Sequence, residues 1–167
     1  MTFAYQTSRL SVAEVFSSTQ ENETLVSIIE ILTPKVVENL PAYFQNINSI
    51  SDAHTWFQKM VTDSRLFMVN STDTNTIIGL VFVYVGNDKN AHIGYLLGES
   101  NWGKGYATEL LIGLIDFIKQ ENKIKRLIAG VTAKNIVSSK LLLKIGFVKS
   151  ASESDETVIY EYQLSQA

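Results

Sequence analysis

The spacing of hydrophobic positions changes several times along the chain. Residues 66–69 and 76–85 are apolar runs separated by the polar turn 70–75, and residues 86–90 separate the second run from a third at 92–97. Short apolar runs bounded by Gly, Asn and Asp read as strands, so this stretch predicts a three-stranded antiparallel meander. In Ile77-Ile78-Gly79-Leu80-Val81-Phe82-Val83-Tyr84-Val85 both alternating faces are apolar. A strand of that kind belongs in the middle of a sheet, with helices covering both sides.

After Gly98 the period becomes helical: Ala107, Leu110, Leu111, Leu114, Ile115 and Ile118 fall on one stripe. Residues 125–131 return to a strand, and a strand–helix–strand unit predicts two parallel strands joined by a right-handed crossover. A second helix is expected from Asn135 to Ile145, with Lys144 in its last turn and Gly146 as a left-handed cap. Val158, Tyr160, Tyr162 and Leu164 alternate as one face of a terminal strand. Before residue 60 the pattern is mixed and predicts mainly helix. Ser51-Asp52 read as a cap ahead of Trp56, Phe57 and Met60, Thr33-Pro34 as another, and residues 8–12 as a short strand. The expected architecture is a mixed α/β sheet.

Composition narrows what such a sheet does. A chain of 167 residues, 46% hydrophobic, suffices for one domain over residues 1–167. Fourteen basic against 17 acidic residues, net −3, leave no Lys/Arg run dense enough to neutralise a phosphate backbone, so nucleic acid is not expected as a partner. With no cysteine there is neither a thiolate nucleophile nor a thiolate metal site, and no metal is expected. Residues 1–6 lack a signal-peptide pattern, and no apolar stretch approaches the roughly 20 residues of a membrane span, so a cytoplasmic location is expected.

The chemistry is carried by the turn after the third strand. Gly98 and Gly103-Lys104 nearly satisfy the phosphate P-loop, but Gly105 stands where that motif needs Ser or Thr for magnesium. The dinucleotide pattern also fails, with Thr108 in place of a third glycine. What survives is physical: a glycine-spaced turn entering a helix offers unhindered backbone N–H groups at the positive end of the helix dipole, which is an anion site. The same turn also reads as a plain tight turn opening a helix.

In Trp102-Gly103-Lys104-Gly105-Tyr106-Ala107 the sequence resembles the GNAT acetyltransferase superfamily, with its Q/R-x-x-G-x-G/A signature. Trp102 departs from the first position. The form W-G-x-G-Y-A-T is similar to the subgroup of ribosomal-protein alanine and serine N-acetyltransferases. Asn135-Ile136-Val137-Ser138 and Lys144-Ile145-Gly146-Phe147 match the family's N-x-x-S and K-x-G-F segments in the right order and at the right distance. The resemblance implies a GNAT-like α/β (α+β) fold in one domain: a mixed, mostly antiparallel sheet with helices on both faces and a V-shaped cleft between two splayed parallel strands.

It further implies acetyl-CoA as cosubstrate. Trp102, Gly103, Lys104, Gly105, Tyr106 and Ala107 would cradle its pyrophosphate, the backbone groups of Leu96 and Leu97 would bond the pantetheine arm, and Asn135 would contact the same arm. Transfer would be direct, from thioester to a primary amine. The acceptor would be a protein N-terminus, as of a ribosomal protein, or a small amine; a non-catalytic acyl-CoA-binding module is the reading of another class. The protein would be a monomer or homodimer.

Catalytic candidates follow from the work to be done. His92 opens the strand leading to the turn, and histidine is the side chain whose ordinary titration range suits a base near neutrality; an exposed turn residue is the competing reading. Glu99 is an alternative base, and His54 reads as a surface residue. Many family members assist the leaving thiolate with a Tyr seven residues after the motif Asn, where this chain has Leu142. Ser138 is the candidate left for that role. Asn135 equally reads as a helix cap, and Tyr84, Tyr95, Tyr160 and Tyr162 as packing residues.

Overall fold

The computed structural model describes residues 1–150 and 156–164. Its strands are β1 (Thr2–Gln6), β2 (Leu10–Val15), β3 (Arg65–Ser71), β4 (Ile77–Val85), β5 (Asn90–Leu97), β6 (Arg126–Thr132), β7 (Val148–Lys149) and β8 (Thr157–Gln163). They form one sheet in the order β1-β2-β3-β4-β5-β6-β8-β7. Every pairing is antiparallel except β5 with β6, so the expected meander and the parallel pair are both present.

The helices are α1 (Asn22–Ile31), α2 (Pro34–Val37), α3 (Ile50–Asp63), α4 (Tyr106–Glu121) and α5 (Ile136–Lys144). β4 divides two cores, as its two apolar faces require. Val81 and Val83 pack with the α4 stripe of Leu110, Leu111, Leu114 and Ile118, whereas Leu80 packs with Ile28 of α1 and with Trp56, Phe57 and Met60 of α3. Alternation along a strand sends neighbouring side chains to opposite faces, and this sorts β5 as well. Ala91, Ile93 and Leu97 join the α4 core, while Leu96 joins the α1/α3 core.

The start of the chain differs from expectation. Residues 2–15 form a β-hairpin at the sheet edge: the strand expected over residues 8–12 is present as β2, beginning at Leu10 and running to Val15, whereas β1 was not expected as a strand. The cap of α3 is Ser49, not Ser51: its hydroxyl accepts from Asp52 N–H while the Asp52 carboxylate accepts from Ser49 N–H. That reciprocal box satisfies two otherwise orphaned donors, which a cap inside the first turn cannot do. Thr33 caps α2 with Pro34 at its first position, as expected. Among the described residues no helix is long and apolar enough to cross a membrane, and no three His, Asp or Glu side chains are grouped to hold a metal ion.

Candidate active site

β5 and β6 pair only over Asn90↔Arg126, Ala91↔Leu127 and His92↔Ile128. Residues 93–97 of β5 and 129–132 of β6 have parted, while β6 stays bonded to β8 as far as Thr132↔Thr157. A V-shaped gap therefore opens toward the C-terminal ends of both strands, where an α/β sheet leaves backbone groups for a ligand. The turn at residues 102–105 and the start of α5 follow directly from those ends.

Backbone direction decides what the gap offers. Gly98 N–H donates to the Ile78 carbonyl, which fixes the antiparallel alternation between β4 and β5. Leu96, paired with Leu80, then turns its N–H and C=O toward β4, while Tyr95 and Leu97 turn theirs toward the gap. The expected pair of Leu96 and Leu97 is thus corrected: Leu96 spends its backbone groups within the sheet. The Leu97 carbonyl is engaged by the Trp102 indole N–H at 2.8 Å. What faces the gap is Leu97 N–H and the backbone of Tyr95.

Trp102 is 43% exposed, with Lys35 Nζ 5.7 Å from its ring centroid. Gly103 and Gly105 have φ of +70° and +81°, left-handed values that glycine adopts without steric cost. Gly105 is the N-cap of α4 and has no side chain to satisfy the helix donors. The N–H groups of Gly105, Tyr106, Ala107 and Thr108 find no acceptor among the described residues, and a Cβ on Gly103 would meet nothing within 4 Å. Free donors, open space and the positive end of a 16-residue helix fit a diphosphate.

Asn135 caps α5 by accepting from Ser138 N–H at 3.2 Å. Ser138 Oγ lies 3.2 Å from the Tyr95 hydroxyl, a bond that bridges β5 and α5. Burial pushes the Tyr95 phenol above its ordinary range, with the Ser138 bond pulling the other way, so the phenol stays protonated at neutral pH. Sequence reasoning set Tyr95 aside as packing; the only signal was its place in the strand entering the turn. Leu142, where a Tyr occurs in many relatives, is fully buried in the α4 core.

His92 is exposed, sits in the last bridge before the strands part, and has its ring centroid 6.5 Å from that of Tyr84. By alternation it lies on the sheet face opposite Tyr95. Glu99 is held by Lys35 at 2.9 Å in a 3-10 turn at the far end of β5. His54 is half-buried on α3. Tyr160 is buried in the α4 core, and Tyr162 packs on Phe147.

A split parallel pair with a donor-rich helix start at its mouth leaves strand backbone and helix N–H groups free for an extended, anionic ligand. Residues 19–148 match the acetyltransferase (GNAT) domain, and the chain belongs to that family. An uncharacterized N-acetyltransferase of Bacillus licheniformis is 35% identical over 85 residues, covering 50% of this chain and 48% of that one. The chain spans about half the length of the curated relatives it matches. Among solved structures, a ribosomal alpha-N-protein acetyltransferase in complex with coenzyme A superposes with a TM-score of 0.81 at 14% identity, covering 96% of this chain and 97% of that one. A microcin self-immunity acetyltransferase in complex with acetyl-CoA and AMP superposes with a TM-score of 0.77 at 20% identity, covering 94% and 93%. These structural likenesses establish the fold.

Proposed function

We propose that this chain is a cytoplasmic N-acetyltransferase, formed as one domain over its 167 residues, that moves the acetyl group of acetyl-CoA directly to a primary amine. The observation that carries the reading is the gap between β5 and β6, opening onto the uncapped glycine turn. Gly103, Lys104, Gly105, Tyr106 and Ala107 hold the pyrophosphate through main-chain donors. Trp102 closes the turn against β5, and the arm lies along the Tyr95 and Leu97 backbone with Asn135 alongside. The favoured acceptor is a protein N-terminal α-amino group, on the W-G-x-G-Y-A-T form of the turn.

The two catalytic tasks fall on opposite faces of the gap. The amine nitrogen attacks the thioester carbonyl, the N–C bond forms as the C–S bond breaks, and His92 takes the nitrogen's proton. Ser138 donates a hydrogen bond to the departing sulfur. Tyr95, neutral and fixed by burial, holds the Ser138 hydroxyl in place.

The test incubates the full chain with acetyl-CoA and a panel of peptides with Ala or Ser N-termini, free amino acids and polyamines. Thiol release and the mass of each product are read. Acetylated peptide α-amines are the expected result; acetylation of small amines alone replaces the acceptor class. Coenzyme A binding without thiol release on any amine would make the chain a binding module and overturn the reading.

A further inference from the structure

The glycine turn is held from outside its own segment. Arg9, at the β1–β2 turn, donates from Nε to Glu109 Oε2 at 2.7 Å and from Nη1 to the Lys104 carbonyl at 2.9 Å. Its backbone N–H and the Thr7 hydroxyl both donate to Glu109 Oε1, at 2.8 and 2.5 Å. The guanidinium carbon lies 4.3 Å from the centroid of the Tyr106 ring. A Cβ built on Gly105 would come within 3.4 Å of Arg9 Nη2. One side chain, about 95 residues away in sequence, therefore touches positions 104, 106 and 109 and lies beside the open side of Gly105.

The turn needs such a hold. Two glycines in left-handed geometry lose more conformational freedom on ordering than any other residue type, and no side chain caps α4. Donors converge on an anion only when the Lys104–Gly105 peptide is kept in one orientation. A planar guanidinium bonded at two edges and stacked on a ring fixes that orientation in a way a flexible ammonium does not. Glu109 sets the fork, and its carboxylate also suits the first turn of a helix.

We propose that Arg9 is a positioning residue that pre-organises the 103–107 turn for the donor's diphosphate, and that it thereby sets the preference for coenzyme A over the bare pantetheine arm. The inference rests on the turn being the diphosphate cradle. Pre-organisation raises affinity by removing the ordering cost at the moment of binding, so its loss falls on ligands that use the turn and spares those that do not.

Calorimetry on the full chain, with coenzyme A and with pantetheine as probes, separates the possibilities and needs no acceptor. In the wild type coenzyme A binds more tightly than pantetheine. In Arg9→Ala and Arg9→Lys that ratio falls by about tenfold, the loss of one charge-assisted contact, while pantetheine binding is unchanged; the latter serves as the control for folding. Equal affinities for the two probes in the wild type overturn the cradle reading and this inference with it. An unchanged ratio in both variants leaves the cradle standing and overturns the role of Arg9. So does a parallel loss for both probes, which marks Arg9 as fold support, and so does full recovery in Arg9→Lys, which assigns the effect to charge without the fork.

Discussion

At Ser138 two hydroxyls meet across the gap, and their order in the chain of bonds decides what each substitution does. In the proposed reaction Ser138 Oγ is the donor to the departing sulfur, and the Tyr95 hydroxyl donates to it at 3.2 Å. Ser138→Ala is expected to lower kcat about tenfold with little change in the KM for acetyl-CoA, since the lost bond matters most as charge develops on sulfur. Tyr95→Phe keeps the ring and its packing and should cost less. The double variant should cost about as much as Ser138→Ala alone, because the phenol acts through the serine. Steady-state kinetics on the three variants check this; additive losses would give Tyr95 an independent role. The sequence made Ser138 legible through N-x-x-S, a local pattern. Its partner lies 43 residues upstream, and nothing local in a strand tyrosine tells a packed ring from one whose hydroxyl crosses to the next helix.

Among the elements, those with an uninterrupted period were readable. The α4 stripe, the two-faced β4 and the capped α5 each state their environment in their own residues. β1 does not, because its register shifts between Phe3 and Tyr5, leaving Ala4 unpaired. The bulge breaks the alternation: Phe3 is 63% exposed, whereas Tyr5 is buried with its hydroxyl donating to the Leu110 carbonyl at 2.9 Å. The packing of β1 on α4 also explains a glycine in mid-helix. A Cβ on Gly113 would stand 2.5 Å from the Tyr5 ring and 3.0 Å from the Thr7 methyl. Gly→Ala in a helix interior ordinarily stabilises by about 1 kcal/mol. Gly113→Ala is expected to have the opposite sign and lower Tm, because the bonded Tyr5 ring must move. An unchanged or raised Tm by calorimetry would show that β1 rides loosely on α4.

Across the whole molecule, the β3–β4–β5 meander, the parallel β5–β6 pair and the two motif segments were legible because each is carried by short-range pattern, whereas the ties that hold distant segments in register were not. The Glu109 carboxylate is such a tie, joining Thr7 and Arg9 of the first hairpin to the helix that opens at the glycine turn. Burial works against its ionised form, but the bonds from Thr7 and from the Arg9 backbone and side chain outweigh it and hold the carboxyl below its ordinary value. A group depressed on folding contributes stability that is present in full above the unfolded value, near 4.3 for an ordinary Glu, and is lost as pH falls through the folded value. Glu109→Gln retains an acceptor for Arg9 but removes the titration. Tm followed from neutrality into acid should therefore fall more steeply in the wild type than in Glu109→Gln, with the two curves converging at the acid end. Asp52 and Asp88, also depressed by hydrogen bonds, are common to both proteins and cancel in the difference. Parallel curves would mean that the tie is no stronger with the charge than without it, and the hairpin would then be secured to α4 by packing and by hydrogen bonds that need no carboxylate charge, such as Tyr5 to the Leu110 carbonyl.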